Sequence, residues 1–360
     1  MQKPVTSDEA PKPALRGTPR HEDVMPIMCI CLSPGFQRSV VIESLMPGEV
    51  NRLTSVVVDA AGKGVNVCRV LQRLGVEAFC LAQGGSNADE LMSLARQEGL
   101  DLRLMPSSGR LRTCTSLVET SMTTGRRVTE LVEPSSPVDQ SCVHTMSETV
   151  AAMLPSAAAL VIAGSMAPGY PAGYPARLAS MARESGVPVL LDLQGADLLD
   201  AIAARPAIVK INLAEFAATF LGSRFMGGEH AGILARELVP PDVMHAVAEA
   251  SRDHATSFVL TRGARSTLLV RDGDIRALPV LPLAAEQIVN PIGCGDAFLA
   301  GMLAQLLKDG IADWDSMPLP VLEKAIDFAT ACARSAARTL RPGFLESFRY
   351  IAEGGHTAPL

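Results

Sequence analysis

The stretch Asn290-Pro-Ile-Gly-Cys-Gly-Asp-Ala-Phe-Leu-Ala-Gly301 decides how this chain is read. An apolar run before it predicts a strand ending near Val289, the glycines predict a turn, and Asp296 through Leu307 predicts a long apolar helix. Gly293 and Gly295, on either side of Cys294, let successive backbone N–H groups converge where the helix dipole favours negative charge. Asp296 then stands beside that anion hole, in the first helical turn. Phosphoryl transfer needs this pairing of donors where charge develops and a carboxylate to receive the acceptor hydroxyl's proton. A helix N-terminus is expected to lower the pKa of Asp296. An ordinary capped helix behind a glycine turn would use the same residues.

Upstream, short apolar runs alternate with segments of helical period. Ile27–Leu32 reads as a buried strand and Val65–Leu74 as a helix with Val67, Val70, Leu71 and Leu74 on one side. Strands are expected at 77–82, 100–105, 158–163, 187–192, 207–211 and 257–261, with helices at 88–98, 175–185, 213–221 and about 241–253. Such βαβ alternation predicts a doubly wound, mostly parallel sheet flanked by helices. Two pairs of β-rich pieces lack an intervening helix. Residues 39–42 and 51–58 are joined by Met-Pro-Gly-Glu, and 112–119 and 127–132 by Thr123-Thr124-Gly125. They predict antiparallel excursions forming a small lid, over about 38–58 and 112–133. Glycines with Glu229 and His230 in 223–232 read as a surface loop.

Composition narrows the classes. With 360 residues, 48% hydrophobic and 19% charged, the chain can build one large core. Its net charge of −6 and lack of polybasic runs argue against nucleic-acid or acidic-membrane partners. No stretch approaches the roughly 20 apolar residues that span a bilayer. None of the eight cysteines forms a C-x-x-C pair, and Cys29 and Cys31 alternate within an apolar run as buried residues of one strand face. These features point to a soluble protein of a reducing cytoplasm. Residues 1–26, with Pro4, Pro11, Pro13 and Pro19 among mixed charges, are expected to form a disordered tail, and 346–360 a C-terminal tail.

Two further segments carry chemistry. Ala61-Gly62-Lys63-Gly64-Val65-Asn66 precedes an amphipathic helix. It is not a Walker A loop, but it offers backbone donors, an ammonium and a carboxamide to a phosphate or polyhydroxy ligand; a glycine loop with a solvated lysine is the plainer reading. Lys210-Ile-Asn212-Leu-Ala-Glu215 sits at a strand-to-helix junction, where Asn212 and Glu215 share the first turn. A capping box would use them too, and the two roles are compatible.

Taken in order, Gly62-Lys63-Gly64-x-Asn66, Asn212-x-x-Glu215, Thr261-Arg-Gly263 and Gly293-Cys294-Gly295-Asp296 resemble the signature of the PfkB, or ribokinase-like, carbohydrate kinases, over about residues 27–345. The chain looks most similar to the 1-phosphofructokinase and tagatose-6-phosphate kinase branch. Pro47-Gly-Glu-Val-Asn-Arg52, Arg112-Thr-Cys114, Thr129-Glu-Leu-Val-Glu133 and Val289-Asn-Pro-Ile-Gly293 carry that likeness. The resemblance implies an ATP- and Mg²⁺-dependent kinase of a phosphosugar, with Asp296 as base beside Gly293, Cys294 and Gly295. It implies that Gly62, Lys63, Gly64, Asn66, Cys114 and Gly164 line the sugar site and that Arg112 meets the substrate phosphate. Lys210, Thr261, Gly263 and Gly295 would lie near ATP, and Asn212 and Glu215 would hold Mg²⁺ through water. In some members the lid makes a homodimer. The chain departs from the pattern at Ser33-Pro-Gly-Phe-Gln37, where the branch has Asn-Pro-x-x-Asp, at Thr261-Arg262-Gly263 and at Gly164-Ser165-Met166-Ala167. A kinase of an unphosphorylated sugar or nucleoside, and a non-catalytic member, are the alternatives.

Overall fold

The computed structural model describes residues 25–121, 126–222, 239–311 and 313–346. The Thr123-Thr124-Gly125 turn, the whole loop expected at 223–232, nearly all of the N-terminal tail and nearly all of the C-terminal tail therefore lie outside the described residues. In chain order the elements are β1 (Ile27–Cys31), β2 (Gly35–Ile42), β3 (Ser55–Ala61), α1 (Lys63–Arg73), β4 (Ala78–Gln83), α2 (Ala88–Gln97), β5 (Leu102–Met105), β6 (Arg112–Glu119) and β7 (Arg127–Val132). There follow α3 (Gln140–Met153), β8 (Ala159–Ala163), α4 (Tyr174–Glu184), β9 (Val189–Asp192), α5 (Gly195–Ala201), β10 (Ile208–Asn212), α6 (Leu213–Leu221) and α7 (Pro241–His254). The described chain closes with β11 (Ser257–Arg262), β12 (Arg265–Arg271), β13 (Asp274–Leu278), α8 (Cys294–Lys308) and α9 (Leu319–Ala337).

Nine strands form one sheet in the order β13-β12-β11-β10-β9-β8-β1-β4-β5, parallel except at β11–β12 and β12–β13. Alternation along β1 sorts its side chains between two cores. Ile27, Cys29 and Cys31 join the layer of α1, α2, α8 and α9, whereas Met28 and Ile30 join that of α3 to α7. A strand buried on both faces reads as a continuous apolar run, which is why β1 was legible. The chain leaves β1 toward β4 and β5 on one side and later returns to β8 on the other. That reversal opens a crevice outside the carboxyl ends of β1 and β8.

The smaller sheet has the order β3-β2-β6-β7. Its two hairpins are antiparallel, as expected, but β2 and β6 that join them run parallel, with Gly35 opposite Arg112. The first hairpin is shifted from the predicted bounds. Asn51 is not in a strand, because its side chain accepts from Met46 N and donates to Met46 O, closing a turn. The strand expected to end near Val289 is also absent. The amides of Val289 and Asn290 both donate to Ala337 O, at 2.8 and 3.1 Å, so a helix end takes the place of a strand partner.

Candidate active site

The crevice gathers the segments that the sequence singled out. A cleft of about 450 Å³ is lined by Gly62, Lys63 and Asn66 of the glycine loop and α1, Arg112 and Cys114 of β6, Lys210 and Asn212 of β10, Glu215 of α6, Thr261 of β11, and Gly293, Gly295 and Asp296 at the start of α8. Gly164 lines an adjoining recess of about 170 Å³ with Ser33, Lys63, Arg112, Ser165 and Asp192. Gly263 and Cys294 line an apolar cleft of about 270 Å³ with Val280, Leu283 and Phe298, and Thr261 and Gly295 belong to both larger clefts. Gly64 lines none of these spaces. It lies under the loop, where a Cβ would come within 2.5 Å of Ile30 O, so its role is to let α1 pack on β1.

Two lysines share one buried carboxylate. Asp192, 1% exposed at the end of β9, accepts from Lys63 Nζ at 3.0 Å and from Lys210 Nζ at 2.8 Å. Burial alone would push its carboxyl up, but Lys210 and Lys63 outweigh it and hold Asp192 below the usual carboxylate range. Lys63 is raised in turn, chiefly by Asp192. Sequence reasoning missed Asp192. The local signal was only an acidic residue ending the apolar run of β9; its lysine partner lies inside the neighbouring strand β10. Gly295 belongs to the same arrangement, since a Cβ there would sit 2.7 Å from Lys210 Nζ.

Asp296 is 5% exposed and accepts from Asn66 Nδ2 at 2.7 Å. Its pKa is raised to about 6, first by burial and also by Asp192, against the lowering effects of Lys63, the Asn66 hydrogen bond and Lys210. The expected depression by the helix N-terminus is thus overturned, because water exclusion dominates. The Cys294 thiol is pushed up to about 12, first by burial and then by Asp296, so it stays protonated. Asn212 and Glu215 form the capping box: Asn212 Oδ1 accepts from Glu215 N at 2.8 Å and Glu215 Oε2 from Asn212 N at 3.2 Å. Gln37, 4% exposed, lines the main cleft and donates to Ser116 Oγ at 2.9 Å.

Arg112 differs from the lysines. Its Nη2 reaches only the Ser33 carbonyl, at 3.4 Å, and it forms no ion pair among the described residues.

Residues 25–344 match the profile of the pfkB family carbohydrate kinase. The chain belongs to that family. Two relatives named 1-phosphofructokinase agree: one from Xanthomonas campestris pv. campestris is 31% identical over 286 residues, 78% of this chain and 84% of its own. The other, from Rhodobacter capsulatus, is 32% identical over 287 residues, 77% of this chain and 82% of its own. A solved structure of a possible 1-phosphofructokinase from Thermotoga maritima superposes with a TM-score of 0.74 at 21% identity, covering 91% of this chain and 97% of its own, and shares the fold. As a pfkB carbohydrate kinase the chain is an ATP-dependent phosphotransferase with an alcohol acceptor. ATP fits the space: a flat base suits the apolar cleft, which meets the main cleft at Thr261, Gly295 and the start of α8. The described residues hold no cluster of three or more His, Cys, Asp or Glu able to grip a metal directly. No described helix is long and apolar enough to cross a membrane.

Proposed function

We propose that this pfkB kinase transfers the γ-phosphoryl group of ATP to a hydroxyl of a sugar that already carries a phosphate, in the manner of a 1-phosphofructokinase or tagatose-6-phosphate kinase. The observation that carries this reading is the spare charge of Arg112. Asp192 pairs with both Lys63 and Lys210, whereas Arg112 faces the main cleft and the small recess with no ion pair among the described residues, and Glu130, which also lines the main cleft, acts on it only through space. A guanidinium can grip a phosphate through two parallel N–H bonds, and Ser33 and Ser165 bring hydroxyls to the same recess. The relatives named 1-phosphofructokinase favour fructose 1-phosphate.

In this reading Asp296 takes the acceptor proton, with Asn66 donating to its far oxygen. The amides at Gly293, Cys294 and Gly295 meet charge developing on the transferred group, and Lys210 lies over Gly295 to add to it. Lys63 bridges the acceptor end and the phosphates, held by Asp192. Asn212 and Glu215, the latter with one oxygen used in the capping box, would hold Mg²⁺ through water, and the ion would supply neutralisation of nucleotide phosphate charge. The cleft-facing side of the lid sheet carries Gln37, Cys114 and Val132, and its opposite side is covered by a second copy of the chain. Free thiols, most of them buried, suit the cytoplasm.

ADP release measured with ATP/Mg²⁺ and a panel of fructose 1-phosphate, fructose 6-phosphate, tagatose 6-phosphate and fructose tests the reading. A phosphorylated sugar should be the preferred acceptor. Arg112→Ala should raise its KM by about 10- to 150-fold, the range for a charge-assisted contact, and barely change KM for ATP. Arg112→Lys should recover part of the loss. Fructose as the better acceptor, or an unchanged KM in Arg112→Ala, would sink the assignment.

A further inference from the structure

The hydrogen bond between Asn66 and Asp296 has its direction set by a third residue. While Asn66 Nδ2 donates to Asp296 Oδ2, its Oδ1 accepts from Arg69 Nη1 at 2.8 Å. Arg69 lies one turn along α1 and is 2% exposed. The rest of its guanidinium is committed elsewhere. Nε and Nη2 each donate to Glu98 at 2.9 Å, Nη2 also donates to Ala60 O, and the group lies 4.9 Å from the Phe344 ring centroid. An asparagine amide by itself can turn over and present oxygen where it had presented nitrogen. A guanidinium has no acceptor, so it can bond only the oxygen of Asn66 and leaves only the NH₂ for Asp296.

We propose that Arg69 is a positioning residue: by locking the Asn66 amide, it obliges Asn66 to donate to the Asp296 carboxylate and so keeps that carboxylate aimed and ionisable. The inference deepens the reading of Asp296 as the base and rests on it. Ala60, which Arg69 also binds, is the last residue but one of the lid strand β3. Its neighbour Asp59 pairs with Arg341, whose guanidinium lies 3.7 Å from the Phe344 ring centroid. The root of the lid and the orientation of the base therefore share one hub. Asp296 is faced by Lys63 from α1, Asp192 from β9, Lys210 from β10 and Cys294 from its own helix, and Arg69 hydrogen-bonds none of these four.

The test combines Arg69→Met, Arg69→Lys, Asn66→Ala and the double variant Asn66→Ala/Arg69→Met. Carbon-13 NMR of the carboxyl groups follows Asp296, assigned by the signal lost in Asp296→Asn. Its titration midpoint should move up in Arg69→Met and in Asn66→Ala, with no further movement in the double variant. With sugar phosphate and ATP, kcat should fall about 10- to 100-fold in Arg69→Met with little change in KM, and adding Arg69→Met to Asn66→Ala should cost less than about 2-fold. Arg69→Lys keeps a charge for Glu98 and the fold, but cannot span Asn66, Glu98 and Ala60, so it should behave like Arg69→Met. An unmoved Asp296 midpoint, kcat losses that simply add, or full rescue by Arg69→Lys would overturn the inference. A wild-type chain that turns over no sugar phosphate would count against the proposed function alone, since the titration still judges Arg69.

Discussion

At Asp296 opposing effects act on one carboxyl, and their balance is measurable. Burial and Asp192 push it up while Lys63, Asn66 and Lys210 pull it down, and it settles at about 6. A base must be ionised, so kcat should fall as pH drops below about 6. Asp296→Asn should lose at least about 10²-fold in kcat while ATP still binds, because the proton is taken only in the transition state. The same shift has a consequence for stability. The unfolded carboxyl ionises near 3.8 and the folded one near 6, so stability falls as pH rises between them. Above about 6 the buried charge costs on the order of 3 kcal/mol. Asp296→Asn should therefore unfold at higher urea than wild type at pH 7.5, with the gain shrinking at pH 4.5. A gain independent of pH would remove burial as the cause. The raised pKa was not legible in sequence, where only the helix N-terminus was visible and not the packing that excludes water.

The junction of β10 and α6 shows what an element can ask of one residue. Glu215 caps α6 through Asn212 N and lines the cleft with its carboxyl. Glutamine serves a capping box as glutamate does, so Glu215→Gln should change stability by less than about 0.5 kcal/mol. The lost charge should nonetheless raise the Mg²⁺ concentration needed for half-maximal activity. Superimposed Mg²⁺ curves would leave Glu215 as a cap only. Both roles of this junction could be read from Asn212-x-x-Glu215, because a cap is local. So could β1 and α8, which are long apolar runs. The hairpin of β12 and β13 went unread although Asp272-Gly273, both at positive φ, is a hairpin signal. The α9 helix, with Leu322, Ile326, Ala329 and Cys332 buried, is rich in alanine and gives a weak apolar stripe. Asp192 needed the strand order, since only the adjacency of β9 and β10 brings it to Lys210.

Across the whole molecule, the βαβ alternation foretold the doubly wound sheet, but not the register of the smaller sheet. That register sorts the lid into two unlike faces. Gln37, Cys114 and Val132 lie on one rung and all three line the cleft. On the next rung Val58, Arg38, Thr115 and Leu131 point the opposite way, as do Val56, Val40 and Leu117 two residues along. Val40 and Leu117 are buried there, whereas Val56, Val58 and Leu131 are 46%, 40% and 61% exposed. Because side chains alternate, the apolar face cannot also close the cleft, and a second lid is the surface whose chemistry matches it. The wild-type chain should sediment at twice its 37.9 kDa at micromolar concentration. Val58→Asp with Leu131→Asp should sediment at once that mass, since two buried, unpaired carboxylates per copy oppose pairing. Both positions project away from the cleft, so the variant should still bind ATP with unchanged affinity. A wild-type monomer, or a dimer untouched by the two aspartates, would place the contact elsewhere than on the lid.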